Sequence, residues 1–139
     1  MAFDDLKRNG MMAHLLSSLE AGEDIGHYGR LVFAMVARHF VSDEELVQKL
    51  GQGEGSDEAE LRALVEQVKG RDYSPPRREK VLQFQQQQAF PIVPDAEDPD
   101  AGNVYKDLQF PDEVYAHIQE YREQKAQAHH DAPEGASAH

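Results

Sequence analysis

Between Leu31 and Val41 runs Leu-Val-Phe-Ala-Met-Val-Ala-Arg-His-Phe-Val, the one long stretch in which apolar residues nearly exclude charge. Leucine, alanine and methionine favour a helix, and a run without a polar stripe is buried on most sides. Asp24 precedes it and Ser42 follows it, so a central helix is expected over about 25–41, with Ile25 and Tyr28 in its first turns. A chain of 139 residues, 40% of them hydrophobic, supplies one modest core and not two. The other elements must therefore pack around this helix.

Leu6, Met12, Leu15, Leu16 and Leu19 fall at helical spacing. Asn9-Gly10 either splits that segment or frays its start, and one amphipathic helix is expected from about Met11 to Gly22. Ser42-Asp-Glu-Glu45 has the capping-box pattern and leads into Leu46, Val47 and Leu50. Gly51 to Gly55 reads as a flexible loop. Ser56 is then expected to cap a helix carrying Leu61, Leu64, Val65 and Val68. Ser74-Pro75 sets a cap serine before proline at the first helical position, with Val81, Leu82 and Phe84 toward the core. Gln85 to Gln88 reads as the solvated end of that helix, which Phe90-Pro91 breaks.

From Pro91 to Pro111 the prolines and acids show no period, and a loop wrapping the domain is expected, pinned by Ile92, Val93, Val104, Tyr105, Leu108 and Phe110. Asp112 is expected to cap a last helix with Val114, Tyr115, Ile118 and Tyr121 in its stripe. After Lys125 the composition shifts to Ala, His, Gly, Pro and Ser, which predicts disorder. The fold class expected is all-α: a single helical domain over 1–126, five or six helices around the buried central one, an irregular loop over about 91–110 and a disordered tail over 127–139. No repeat of solenoid period is present.

Composition narrows the chemistry. Without cysteine there is no disulfide, thiolate zinc site, iron-sulfur cluster or cysteine nucleophile. The first residues lack the apolar run of a signal peptide, and the Leu31 to Val41 run is about half the roughly 20 residues needed to cross a bilayer, so a cytoplasmic protein without membrane attachment is expected. Acids outnumber bases 26 to 14, a net charge of −12 that repels polyanions on average and attracts basic partners. Such a balance suits either an ordinary soluble surface or halophilic adaptation to a salty cytoplasm.

Lys69, Arg71, Arg77, Arg78 and Lys80 form a local basic segment interrupted only by Asp72 and Glu79. If they bracket a proline-initiated helix start, free N–H groups and the helix dipole would converge with them on an anion or phosphate. The alternative is that they pair with neighbouring acids. Tyr73 and Phe84 are the aromatic residues close by in sequence. A helix-turn-helix reading of residues 42–69 fails, because Asp57, Glu58, Glu60 and Glu66 stand where a recognition helix needs bases; in a winged-helix relative, the helix from Pro75 would be the reader.

Glu113, His117 and Glu120 share one helical face and would supply half of a metal site, but no second half is visible and no metal or other cofactor is expected. His27 and His39, twelve apart on one helix, are too distant to share an ion. Asp95, Glu97, Asp98 and Asp100 make an acidic loop. Registering Asp98 on an EF-hand puts Gly102 one place early and Gln109 where the bidentate glutamate belongs, so calcium is rejected. The chain has no Gly-x-Ser-x-Gly, no phosphate-binding Gly-Lys-Ser/Thr and no threonine, and its non-tail serines read as caps or helix residues. Gly-Gln-Gly-Glu-Gly follows no strand and is not a dinucleotide loop.

These readings point away from an enzyme and toward a non-catalytic binding protein, an accessory, regulatory or adaptor subunit of a larger complex with a protein partner. Its candidate surfaces are the basic helix start at Arg77, Arg78 and Lys80, the loop acids Asp95, Glu97, Asp98 and Asp100, and the last helix with Tyr115 and Tyr121. The alternative is a nucleic-acid-transaction protein contacting phosphates through residues 69–80.

Overall fold

Asn9 is the first residue to direct the fold. In the computed structural model, which describes residues 2–94, 97–98 and 101–118, its side chain accepts the Met12 N–H at 3.1 Å and starts a helix one residue later. The Asn-Gly pair therefore splits the first segment, giving α1 (Ala2–Leu6) and α2 (Gly10–Glu20). Gly22, at φ +79°, closes α2 in a Schellman arrangement, its N–H on Leu19 O and that of Glu23 on Ser18 O.

The apolar run lies in α3 (Gly26–Ala37), where Val32, Phe33, Ala34, Met35, Val36 and Ala37 are all buried. Burying Phe33 alone contributes about 1.5–3 kcal/mol relative to leaving it in water. Four helices cover α3: α2, α4 (Asp43–Leu50), α5 (Glu58–Gly70) and α6 (Arg78–Gln85). The central helix is thus the centre of the core, shorter than the expected 25–41 because it stops at Ala37, four residues before the apolar run ends.

Ser42 forms the expected capping box with Glu45. The next cap is Asp57 rather than Ser56, because a box on Ser56 would call on Ala59, which cannot reach back, whereas Asp57 has Glu60. Gly70 remains helical and Asp72 takes the left-handed position at φ 49°, with Asp72 N–H on Lys69 O and Tyr73 N–H on Val68 O.

A larger departure is at Ser74-Pro75. The helix starts at Arg78 with Arg77 as its cap, and Pro75 and Pro76 are buried in extended chain. A proline disfavours the helical region for the residue before it, so Pro76 keeps Pro75 extended. The Pro75 carbonyl instead accepts the Tyr105 hydroxyl.

In the stretch from Pro91 the described residues Ile92, Val93, Val104 and Leu108 are buried, and a short α7 (Val104–Asp107) is present. Asn9 ties to it, donating from Nδ2 to Asp107 Oδ2 at 2.9 Å. Residues up to Gln109 form one compact unit, and Phe110 begins a second. There residues 112–118 are helical, the Phe110 N–H donates to the Tyr115 hydroxyl at 3.0 Å, and Asp112 is the first helical residue rather than the cap. The described residues thus form eight helices and no strand, an all-α fold in which α1 and α7 are the short additions to the helices marked by periodicity. Among them no helix is long and apolar enough to cross a membrane. The expected tail over 127–139 lies outside the described residues.

Candidate binding surface

The basic segment is divided among several tasks. Lys69 reaches Asp43 at 2.8 Å, linking α5 to α4. Arg78 turns its Nε to the carbonyl of Ala101 at 3.0 Å and holds the loop before α7. Arg71 is exposed just past α5, while Arg77 and Lys80 are exposed at the start of α6. The bases do not bracket a proline-initiated turn, since Arg77 itself caps α6 without a side-chain bond to its N–H groups. Lys80 extends over the ring of Phe84, one turn along, with Nζ 5.3 Å from the centroid.

Phe84 is the junction between α6 and α3. Its ring stacks on Tyr28 of α3 at 5.2 Å with an interplanar angle of 18°, and His27 meets Tyr28 edge-on at 5.2 Å. Tyr28, Leu31 and Phe84 are half-buried and His27 is exposed, so this aromatic row has solvent on one side. Lys80 and Phe84 are legible in sequence as an i, i+4 pair. Tyr28 joins them only through the packing of α6 on α3.

The glutamine run locks the row in place. Gln88 accepts the Tyr28 N–H at 2.9 Å through Oε1 and donates from Nε2 to Ile25 O at 2.8 Å and Phe90 O at 3.1 Å. In the first turn of α3, whose own cap residue Ile25 has no polar side chain, the Tyr28 N–H is satisfied by an amide from just past α6. Gly26, at φ +80°, makes room, since a Cβ there would overlap the Gln88 amide. Gln85 likewise accepts the Val93 N–H at 2.6 Å. The expectation of a solvated glutamine run holds for exposed Gln86 and Gln87 but not for half-buried Gln85 and Gln88.

The Gly51 to Gly55 loop, expected to be flexible, folds back on the turn before α3. Glu54 N–H bonds Glu23 O at 3.1 Å, and a Cβ on Gly53 or Gly55 would stand 2.6 Å from Glu23 O or 2.7 Å from the Asp24 carboxylate. Asp24 accepts from Gly26 N–H at 2.9 Å and from Arg30 at 3.0 Å. The Gly26 bond, larger than the opposing effect of burial and helped by the bond and charge of Arg30, holds its carboxyl below the usual range.

At the other end of α3, Arg38 donates to Asp72 at 2.6 Å and to Tyr73 O at 3.1 Å, leaving its buried Nε without a hydrogen-bond partner among the described residues. His39 beside it is pushed down to about 4, first by burial and then by the Arg38 charge, with Asp72 opposing. On α5, Arg62 clamps Glu44 at 2.7 and 3.1 Å and Glu58 at 2.9 Å, which lowers the Glu44 carboxyl. These exposed pairs orient helices and add little stability each.

Of the acidic loop, Glu97 and Asp98 are exposed, and Asp98 O accepts the Ala101 N–H at 3.1 Å. Asp95 and Asp100 lie outside the described residues, as do Tyr121 and Glu120. Tyr115 is half-buried, its ring edge-on to Phe110 at 6.4 Å. Glu113 and His117 are both exposed, and among the described residues no three His, Asp or Glu side chains converge as a metal site. Comparison with models of known protein families, with curated proteins and with solved structures finds no match to this chain.

Proposed function

We propose that this chain is a non-catalytic binding protein of the cytoplasm, an accessory subunit that works by docking a protein partner. The observation that carries this reading is the Tyr28–Phe84 pair. Two large aromatic side chains are kept partly in solvent, edged by Lys80, and fixed by the Gln88 hydrogen bonds. Aromatic residues with a cation at their edge are the composition that anchors protein interfaces. The test is to tag the chain in its native host, cross-link in the cell and measure the native mass and the covalent neighbours. The reading requires an assembly heavier than the 15.7 kDa chain, with cross-links to a second protein. A chain that runs alone and cross-links only to itself refutes it.

A second reading, contact with nucleic-acid phosphates, is supported by the exposed cations Arg71, Arg77 and Lys80. Lys69 and Arg78 contribute less to it because Asp43 and Ala101 already hold them. Affinity for a labelled single strand that falls steeply with salt and is lost in Arg77→Ala/Lys80→Ala would favour this reading.

A further inference from the structure

We infer that the Tyr28–Phe84 face docks an acidic protein segment carrying an aliphatic or aromatic anchor residue; this rests on the binding-protein reading above and names the partner's chemistry. Charge complementarity selects the occupant. In a chain of net charge −12, the rings are edged by Lys80, with exposed Arg77 one turn earlier on the same side of α6. Glu79 is the one acid of α6, and on the α3 side Asp24 is already held by Gly26 and Arg30. A cationic edge on an acidic protein pairs with a partner's carboxylates and orients it, while basic segments are drawn to the rest of the surface instead.

The anchor has a place to sit. Leu31 lies one helical turn from Tyr28, and with Phe84 the three half-buried side chains offer apolar surface beside the cations. The ring geometry favours a peptide over a nucleic acid. Stacking a base needs an open ring face, and Phe84 already has Tyr28 stacked on it and the Lys80 ammonium over it. A continuous phosphate backbone would also run off these few cations onto an acidic surface, whereas a peptide needs only the carboxylates that meet Arg77 and Lys80.

The experiment pans a random-peptide phage library against the full-length protein, then measures the enriched sequence as a labelled synthetic peptide by fluorescence anisotropy. Supporting results are enrichment of Asp and Glu around Leu, Phe or Trp, and affinity that weakens about tenfold in Lys80→Glu, survives in Lys80→Arg and is unchanged in Glu66→Lys on α5. Circular dichroism checks that the exposed-site variants fold. The proposal is overturned if the enriched peptides are basic or uncharged, if no peptide is enriched, or if Lys80→Glu leaves affinity unchanged. It is equally overturned if single-stranded oligothymidylate binds in a Lys80-dependent way and the peptides do not. Peptides that bind but map elsewhere remove this face while the binding-protein reading stands; a chain found alone in its native host removes that reading itself.

Discussion

The side-chain oxygen of Gln88 caps the N–H of Tyr28 across 60 residues of chain at 2.9 Å, a helix cap supplied from the turn after α6 rather than from the preceding residue. Ile25 and Gly26 have no side chain able to cap α3; Asp24 takes the Gly26 N–H, and that of Tyr28 depends on Gln88. Gln88→Ala removes all three of its bonds and lowers stability by about 1–2 kcal/mol, read as a shifted urea midpoint at unchanged slope. Gln88→Glu is no remedy, because a carboxylate would face the carbonyls of Ile25 and Phe90 that the amide now satisfies. Gln86→Ala and Gln87→Ala, on exposed neighbours, change little.

Asn9 is only 1% exposed and serves three partners, Met12 N–H through Oδ1, and Asp107 and the Asn103 carbonyl through Nδ2. Asn9→Asp keeps the cap but sets a second carboxylate against that of Asp107, with a loss of about 1–3 kcal/mol. Adding Asp107→Asn restores a donor and recovers part of the loss, a non-additivity that thermal unfolding of the double variant detects. Lowering the pH also recovers stability in Asn9→Asp alone, since protonating one carboxyl makes it a donor to the other.

What the sequence showed best was local. The unbroken apolar run through Val32 to Ala37 identified the buried helix, and the Ser42/Glu45 spacing identified its successor, because both signals lie within one or two turns of chain. Ser56 has the residue type of a cap but Ala59 gives it no capping-box partner, and after Ser74 the second proline, Pro76, disfavours the helical region for Pro75. The candidate surface was half visible: Lys80 and Phe84 are spaced for contact on one helix, while Tyr28 reaches them only through tertiary packing. Gln88 resembles its exposed neighbours in every local respect. Only the approach of α3 distinguishes it, and Gly26 was the one trace of that approach in the sequence.

Glycines separate by what surrounds them. Gly70 is helical and exposed, and no atom lies within 4 Å of where an added methyl group would stand, so Gly70→Ala stabilises by about 0.5–1 kcal/mol. At Gly55, with φ +106°, the same methyl would stand 2.7 Å from the Asp24 carboxylate, and Gly55→Ala strains the backbone while pushing Asp24 from Arg30. Differential scanning calorimetry should place the two variants on opposite sides of wild type. Equal midpoints would mean that the Gly51 to Gly55 loop does not hold the turn before α3.

Stability should fall on mild acidification because of His39. Its pKa is lowered from 6.5 to about 4 by burial and by Arg38, so between those values the unfolded chain binds a proton that the folded chain refuses. Stability therefore rises with pH through this window: the contribution is complete above about 6.5 and is lost as pH falls toward 4. Glu44, Glu45 and Asp24 also have lowered values, and the same sign applies to them, but their ordinary values of 4.5 and 3.8 confine their effect to the acid end. Measurements from about pH 6.5 to 5 thus separate the histidine from these carboxylates. His39→Gln, which cannot titrate, has a flatter dependence of stability on pH than wild type in that interval, and the imidazole signals of His39 should hold their neutral shifts to near pH 5. A parallel slope in variant and wild type would place the acid sensitivity elsewhere.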